Sequence, residues 1–197
     1  MFAGTILLAW VLMLQFDTTS VQLPEFTGPP IAYDHLSDEK TDPYLVRGKP
    51  PVKGADKRAA RRWPDVRSCL IRSEQKAESP DLRKMNWGKM RGKEDVEVCL
   101  FRIAASLRSP EAMRDWFVSQ GMQRVRVSVL AKIPNVYTED MWVVQAMNYF
   151  STGKTFRASA IPWRYWKMLI SYSEDFGATF SKDGTVSGTY YFDNNIL

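Results

Sequence analysis

Histidine is almost missing from this chain. His35 is the only one in 197 residues, and cysteine occurs only at Cys69 and Cys99. A Ser-His-Asp or Cys-His mechanism would have to recruit His35 from a proline-rich stretch outside the expected fold, where it reads as a solvated linker residue. Two thiols and one distant imidazole cannot complete a four-ligand zinc site without carboxylates. No zinc-finger spacing and no aromatic–glycine RNA-binding signature is present. Gly153-Lys154-Thr155 resembles the end of a phosphate loop, but Asn148 stands where that loop needs its first glycine. No cofactor is expected.

Uncharged runs long enough to approach a membrane span are also lacking, and the longest run opens the chain. The opening MFAGTILLAWVLMLQF is sixteen residues without a charge. As a helix it would reach about 24 Å, short of the roughly 30 Å hydrocarbon core of a bilayer. Extension to Leu23 would place Asp17 in lipid at a cost of about 3 kcal/mol. A cleavable signal needs only 7–15 apolar residues, and Thr18 and Ser20 are small enough for the cleavage positions. No Lys or Arg precedes the run, and neither residue is the usual alanine. Residues 17–46 carry six acids and one base, a flank suited to translocation. Residues 1–20 are therefore expected to be a signal peptide or a short membrane anchor. The competing reading is a terminal helix buried in the fold.

What is there in quantity is positive charge, and it is not spread evenly. The net charge is +5, yet residues 47–93 hold fifteen Lys/Arg against five acids, while residues 94–197 balance at eleven each. Such a segment suits docking on something anionic: phospholipid, acidic glycan, nucleic acid or an acidic protein face. The bland alternative is a solvated stem that binds nothing. The docking residues expected from this segment are Lys49, Lys53, Lys57, Arg58, Arg61 and Arg62.

Seven of the eleven prolines fall between Pro24 and Pro64. Residues 21–62 are thus expected to form a flexible stem, acidic and then basic, with one short helix in ADKRAARRW before Pro64 stops it. The globular domain is expected over 63–197. Within it, VRSCLIR (66–72) reads as a strand, and residues 79–93 as a basic loop exposing Trp87. VEVCLFRIAASL (96–107) fits either a helix stripe or a strand, and its β-branched and aromatic content favours strand. Ser109 and Pro110 open a helix closed by Gly121, with Met113, Trp116, Phe117 and Gln120 on one face. RVRVSVLA (124–131) alternates as a half-buried strand. Residues 139–150 read as a helix capped by Thr138. KTFRASAI, YWKMLISY, GATFS and TVSGTYYF read as strands, with Asp183-Gly184 as a hairpin turn. The class is α+β: a mainly antiparallel sheet with two or three helices, preceded by an apolar N-terminal helix and a proline-rich extended stem.

Carboxylates occur as neighbours at Glu94-Asp95, Glu139-Asp140 and Glu174-Asp175, but adjacent side chains diverge on strand and helix alike. Trp163, Arg164, Tyr165 and Trp166 interleave aromatic and basic groups, a pattern that stacks sugars or anchors proteins. In an oxidising compartment Cys69 and Cys99 are expected to pair.

These readings converge on an exported domain, periplasmic or secreted, and near a membrane. Its expected role is a non-enzymatic accessory or binding subunit of an envelope or secreted assembly. Partners would be a protein of that assembly, anionic lipid or an acidic glycan, with nucleic acid disfavoured. One alternative is a glycan hydrolase using Glu174 and Asp175. The other is a cytosolic nucleic-acid binder with free thiols.

Overall fold

The computed structural model describes residues 26–131, 140–150 and 171–196. The opening apolar segment and all of 151–170, with the expected strand KTFRASAI and most of YWKMLISY, lie outside them. The described chain is α+β. Four strands form one antiparallel sheet in sequence order, β1 (Gln123–Leu130), β2 (Met141–Phe150), β3 (Ser171–Phe180) and β4 (Val186–Ile196). Helices α1 (Gly54–Arg62), α2 (Arg72–Gln75), α3 (Lys93–Leu107) and α4 (Pro110–Ser119) precede it.

The hairpin signal was correct. Asp183 caps its own turn by accepting the Thr185 N–H at 3.0 Å, and Gly184 adopts φ +84°. The register then pairs Phe176 with Tyr191 and Gly177 with Tyr190. On one face, Phe176, Ala178, Phe180, Val144, Ala146 and Tyr191 form the floor of the core. On the other, the Tyr190 ring lies over Gly177, so close that a Cβ there would sit 2.2 Å from it. Helix α4 opens and packs as the sequence leads one to expect: Ser109 Oγ accepts the Ala112 N–H at 3.2 Å, and Met113, Trp116, Phe117 and Gln120 are all buried.

Three expected elements are corrected. Residues 96–107 are helix, not strand, inside α3. Every residue from Asp95 to Leu107 is buried, so no polar stripe marks its period, and its Val and Phe content imitates a strand. Residues 139–150, expected as a helix, give strand β2 from Met141 on. Pairing of Val144 with both Val127 and Ala178 decides the matter over a weak local helix signal. Residues 66–72 are not a strand. Asp65 accepts the Ser68 N–H at 2.7 Å, and Ser68 Oγ returns a bond to the Asp65 carbonyl at 2.6 Å. Those local bonds wind Arg67–Cys69 into a 3-10 turn.

Trp87 is likewise buried rather than exposed. Its Nε1–H donates to Gln120 Oε1 at 3.1 Å, and its ring meets Trp116 and Phe176 at centroid distances of 6.2 and 6.1 Å.

Residues 31–62, expected as stem, pack against the domain. Asp34 N–H donates to the Ser106 carbonyl at 2.9 Å, and Ser37 N–H to Ser106 Oγ at 3.0 Å. Arg102, fully buried, donates to the carbonyls of Trp63 and Asp42 and to the Glu39 carboxylate. Tyr44 stands edge-on to Phe101 at 5.3 Å. Prolines interrupt regular pairing in this arm, and Ser106 and Arg102 of α3 take up part of its backbone.

Cys69 and Cys99 form a disulfide that joins the 3-10 turn to α3. Closing a loop of that length stabilises a fold by roughly 3.5–4 kcal/mol in the chain-entropy model.

Candidate binding face

Helix α1 forms because ADKRAARR is rich in residues that favour helices. Asp56 complements the dipole in its first turn, and Arg61 and Arg62 do so in its last. Asp56, Ala59 and Ala60 turn inward, and Trp63 follows them into the core. Helical spacing then leaves Lys57, Arg58, Arg61 and Arg62 outside, with Lys53 at the N-cap extending the row. Lys53, Lys57 and Arg61 repeat every four residues, so like charges stack at about 6 Å of rise. Each such pair costs an isolated helix about 0.2–0.5 kcal/mol.

Five of the fifteen cations of 47–93 have partners within the fold, while Arg72 and Lys76 are exposed on α2 and just after it. Arg62 Nη1 lies 2.7 and 2.8 Å from the two oxygens of buried Asp95. Arg67 donates to the carbonyls of Gln75, Ala77 and Glu78. Arg83 pairs with Asp81 at 2.9 Å and holds the Thr27 and Gly28 carbonyls. Lys84 pairs with Glu74 at 2.8 Å, and Lys93 reaches Glu97 at 3.5 Å. These groups hold the fold together. Lys49, Lys53, Lys57, Arg58 and Arg61 do not: all five are exposed, and none has an ion-pair partner among the described residues. Arg62 joins them only in part, because its charge is matched by Asp95.

Two cationic residues from the next turn lie beside this row. Arg91 donates its backbone N–H to the same Asp95, at 2.8 Å, and Lys89 Nζ stands 5.2 Å from the centre of the Trp63 ring. The sequence reading missed Arg47 and Val52. With Lys49 and Lys53 they line a surface depression of about 290 Å³ at the start of α1. Behind the face, burial raises the Glu97 carboxyl above its ordinary range, partly offset by the Tyr191 N–H and by Lys93, with nearby Asp56 adding to the rise.

The remaining candidates do not assemble into a site. Glu174 and Asp175 alternate on β3, so they face opposite sides of the sheet. Glu174 is fully buried beneath the Tyr191 hydroxyl, which donates to Oε1 at 2.7 Å. Trp163, Arg164, Tyr165 and Trp166 lie outside the described residues. His35 is half-buried between carboxylates, with Nε2 2.6 Å from Asp42 Oδ2 and Nδ1 3.2 Å from Asp34 Oδ2. Among the described residues no His, Cys, Asp and Glu group is arranged to hold a metal, and no helix is long and apolar enough to cross a membrane.

Comparison with protein-family models, with curated proteins and with solved structures finds no match.

Proposed function

We propose that this protein is an exported or membrane-anchored, non-enzymatic binding subunit of an envelope or secreted assembly, docking an anionic partner through α1. One observation carries the reading. Arg62, Arg67, Arg83, Lys84 and Lys93 are committed to carboxylates or carbonyls, whereas Lys49, Lys53, Lys57, Arg58 and Arg61 gather on the exposed side of α1 and the turn before it without an ion-pair partner among the described residues. A fold gains nothing from such a row, and an anionic ligand does. The Cys69–Cys99 disulfide agrees with an oxidising compartment. The uncharged opening segment agrees with export or anchoring.

The test is salt elution of the full chain from heparin, a generic polyanion. Replacing Lys53, Lys57, Arg58 and Arg61 by Gln should lower the eluting salt concentration sharply and leave the thermal midpoint in place. Elution at the parent's salt concentration would overturn the docking role of α1.

A further inference from the structure

The depression at the start of α1 has a chemistry that narrows the partner. One wall is apolar, made by Val46, Pro50 and Val52. Arg47, Lys49 and Lys53 ring it, and all three are exposed. Asp56 closes the helix side, where it is buried in the first turn of α1 rather than presented to a ligand. Val52 is 85% exposed, the most exposed large hydrophobic side chain among the described residues. It stands between two prolines and the first cation of the α1 row.

The backbone here is held in place. Arg47 and Gly48 both have positive φ, 53° and 74°, and Val46 pairs with Lys49 across them. That is a tight two-residue turn whose first central position Asn, Asp or Gly fills at less strain than Arg. The turn rests on β4: Gly48 N–H donates to the Ser187 carbonyl, and a Cβ at Gly188 would come within 2.9 Å of the Arg47 nitrogen. Arg47 is thus fixed at the rim in a conformation that arginine rarely takes.

We propose that this depression seats the headgroup of an anionic phospholipid. Arg47, Lys49 and Lys53 take the phosphate, Val52 enters the headgroup–acyl boundary, and Lys57, Arg58 and Arg61 lie along the membrane surface. This rests on the docking reading above and names its partner. A polyanion such as nucleic acid would use the cations, but it has no use for a protruding aliphatic side chain. The row carries no exposed aromatic ring on which a base could stack. Cations beside an exposed apolar tip are the combination that recognises an anionic bilayer.

The experiment is partition of the full chain onto phosphatidylcholine vesicles with and without phosphatidylglycerol. The neutral vesicles report whatever the apolar opening segment contributes, and the increment on anionic vesicles is the quantity read. Arg47→Gly keeps the turn and should retain the thermal midpoint while lowering that increment about fivefold, the worth of one basic residue at an anionic surface. Val52→Ser should lower it without changing heparin elution. The four-Gln variant of α1 should abolish it. An increment unchanged in Arg47→Gly and Val52→Ser overturns the lipid assignment. If the four-Gln variant then still shifts heparin elution, the docking reading stands with another anionic partner; if it shifts neither, both fall.

Discussion

Arg62 and Asp95 are thirty-three residues apart, and one guanidinium nitrogen reaches both oxygens of the carboxylate, at 2.7 and 2.8 Å. Asp95 is nearly inaccessible and also accepts the Arg91 N–H. This joins the end of α1 to the start of α3, and it separates Arg62 from the cations beside it. Asp95→Ala should therefore destabilise the fold by about 1–3 kcal/mol, because it removes a buried carboxylate that accepts charge-assisted and backbone hydrogen bonds from two segments. Lys57→Gln, one turn away on the exposed face, should stay within about 0.5 kcal/mol of the parent. Urea unfolding of the two variants checks the contrast.

Glu97 predicts a pH dependence. Burial raises its folded-state pKa above the unfolded value. The protonated carboxyl is then the form the fold prefers, so its contribution is fully present below the unfolded pKa and is lost as pH rises through the folded one. Glu97→Gln keeps an oxygen for the Tyr191 N–H, which Glu97 accepts at 3.1 Å. The variant should lose less stability than the parent as pH rises from the ordinary glutamate pKa toward neutrality. Thermal midpoints across that window would show parallel curves if the burial of Glu97 has no such effect.

Gly184 and Gly121 both have positive φ, 84° and 74°. They differ in surroundings. A Cβ on Gly184 would lie 2.3 Å from the Arg108 carbonyl oxygen, whereas one on Gly121 meets nothing within 4 Å. Gly121→Ala should cost about 1–2 kcal/mol from backbone strain alone. Gly184→Ala should cost clearly more, because the clash is with backbone that has to move. Equal losses in denaturant melts would contradict the seating of this turn against Arg108.

The disulfide predicts that the native protein has a mass two hydrogens below that of its reduced form. Cys69→Ala with Cys99→Ala should lower stability by roughly 3.5–4 kcal/mol. Intact mass before and after reduction reads the first, and denaturant unfolding the second. The same mass spectrum reports cleavage near Ser20.

Where the sequence was legible, a local signal and the tertiary answer agreed. Asp183-Gly184 turned the β3–β4 hairpin, Ser109-Pro110 opened α4, and the alternation of 124–131 gave β1, although Val129 at its far end is exposed. Reading failed where burial erased the pattern. Helix α3 is covered on every side, by the arm, by α1 and by the sheet, so its sequence shows no polar face. β2 is set by its two neighbours rather than by its own propensity. Trp87 sits in a segment of Lys, Arg and Gly that reads as solvent-exposed, and the groups that bury it, Trp116, Gln120 and Phe176, all lie far along the chain. The proline-rich arm was misjudged for a related reason: its backbone bonds go to Ser106 and Arg102, which local sequence cannot announce. The cation row on α1 was legible because helical spacing alone places it. That Arg62 differs from its neighbours was not, since Asp95 lies far along the chain.

Binding through α1 depends on where the positive charge lies rather than on how much there is. The most direct measurement compares two variants that remove the same four charges from the +5 chain. One carries Gln at Lys53, Lys57, Arg58 and Arg61; the other carries Gln at Arg72, Lys76, Arg114 and Lys182, which are exposed cations elsewhere on the described surface. Salt elution from heparin should fall steeply for the first and stay close to the parent for the second, with both folded. An equal fall in the two would contradict a binding face on α1.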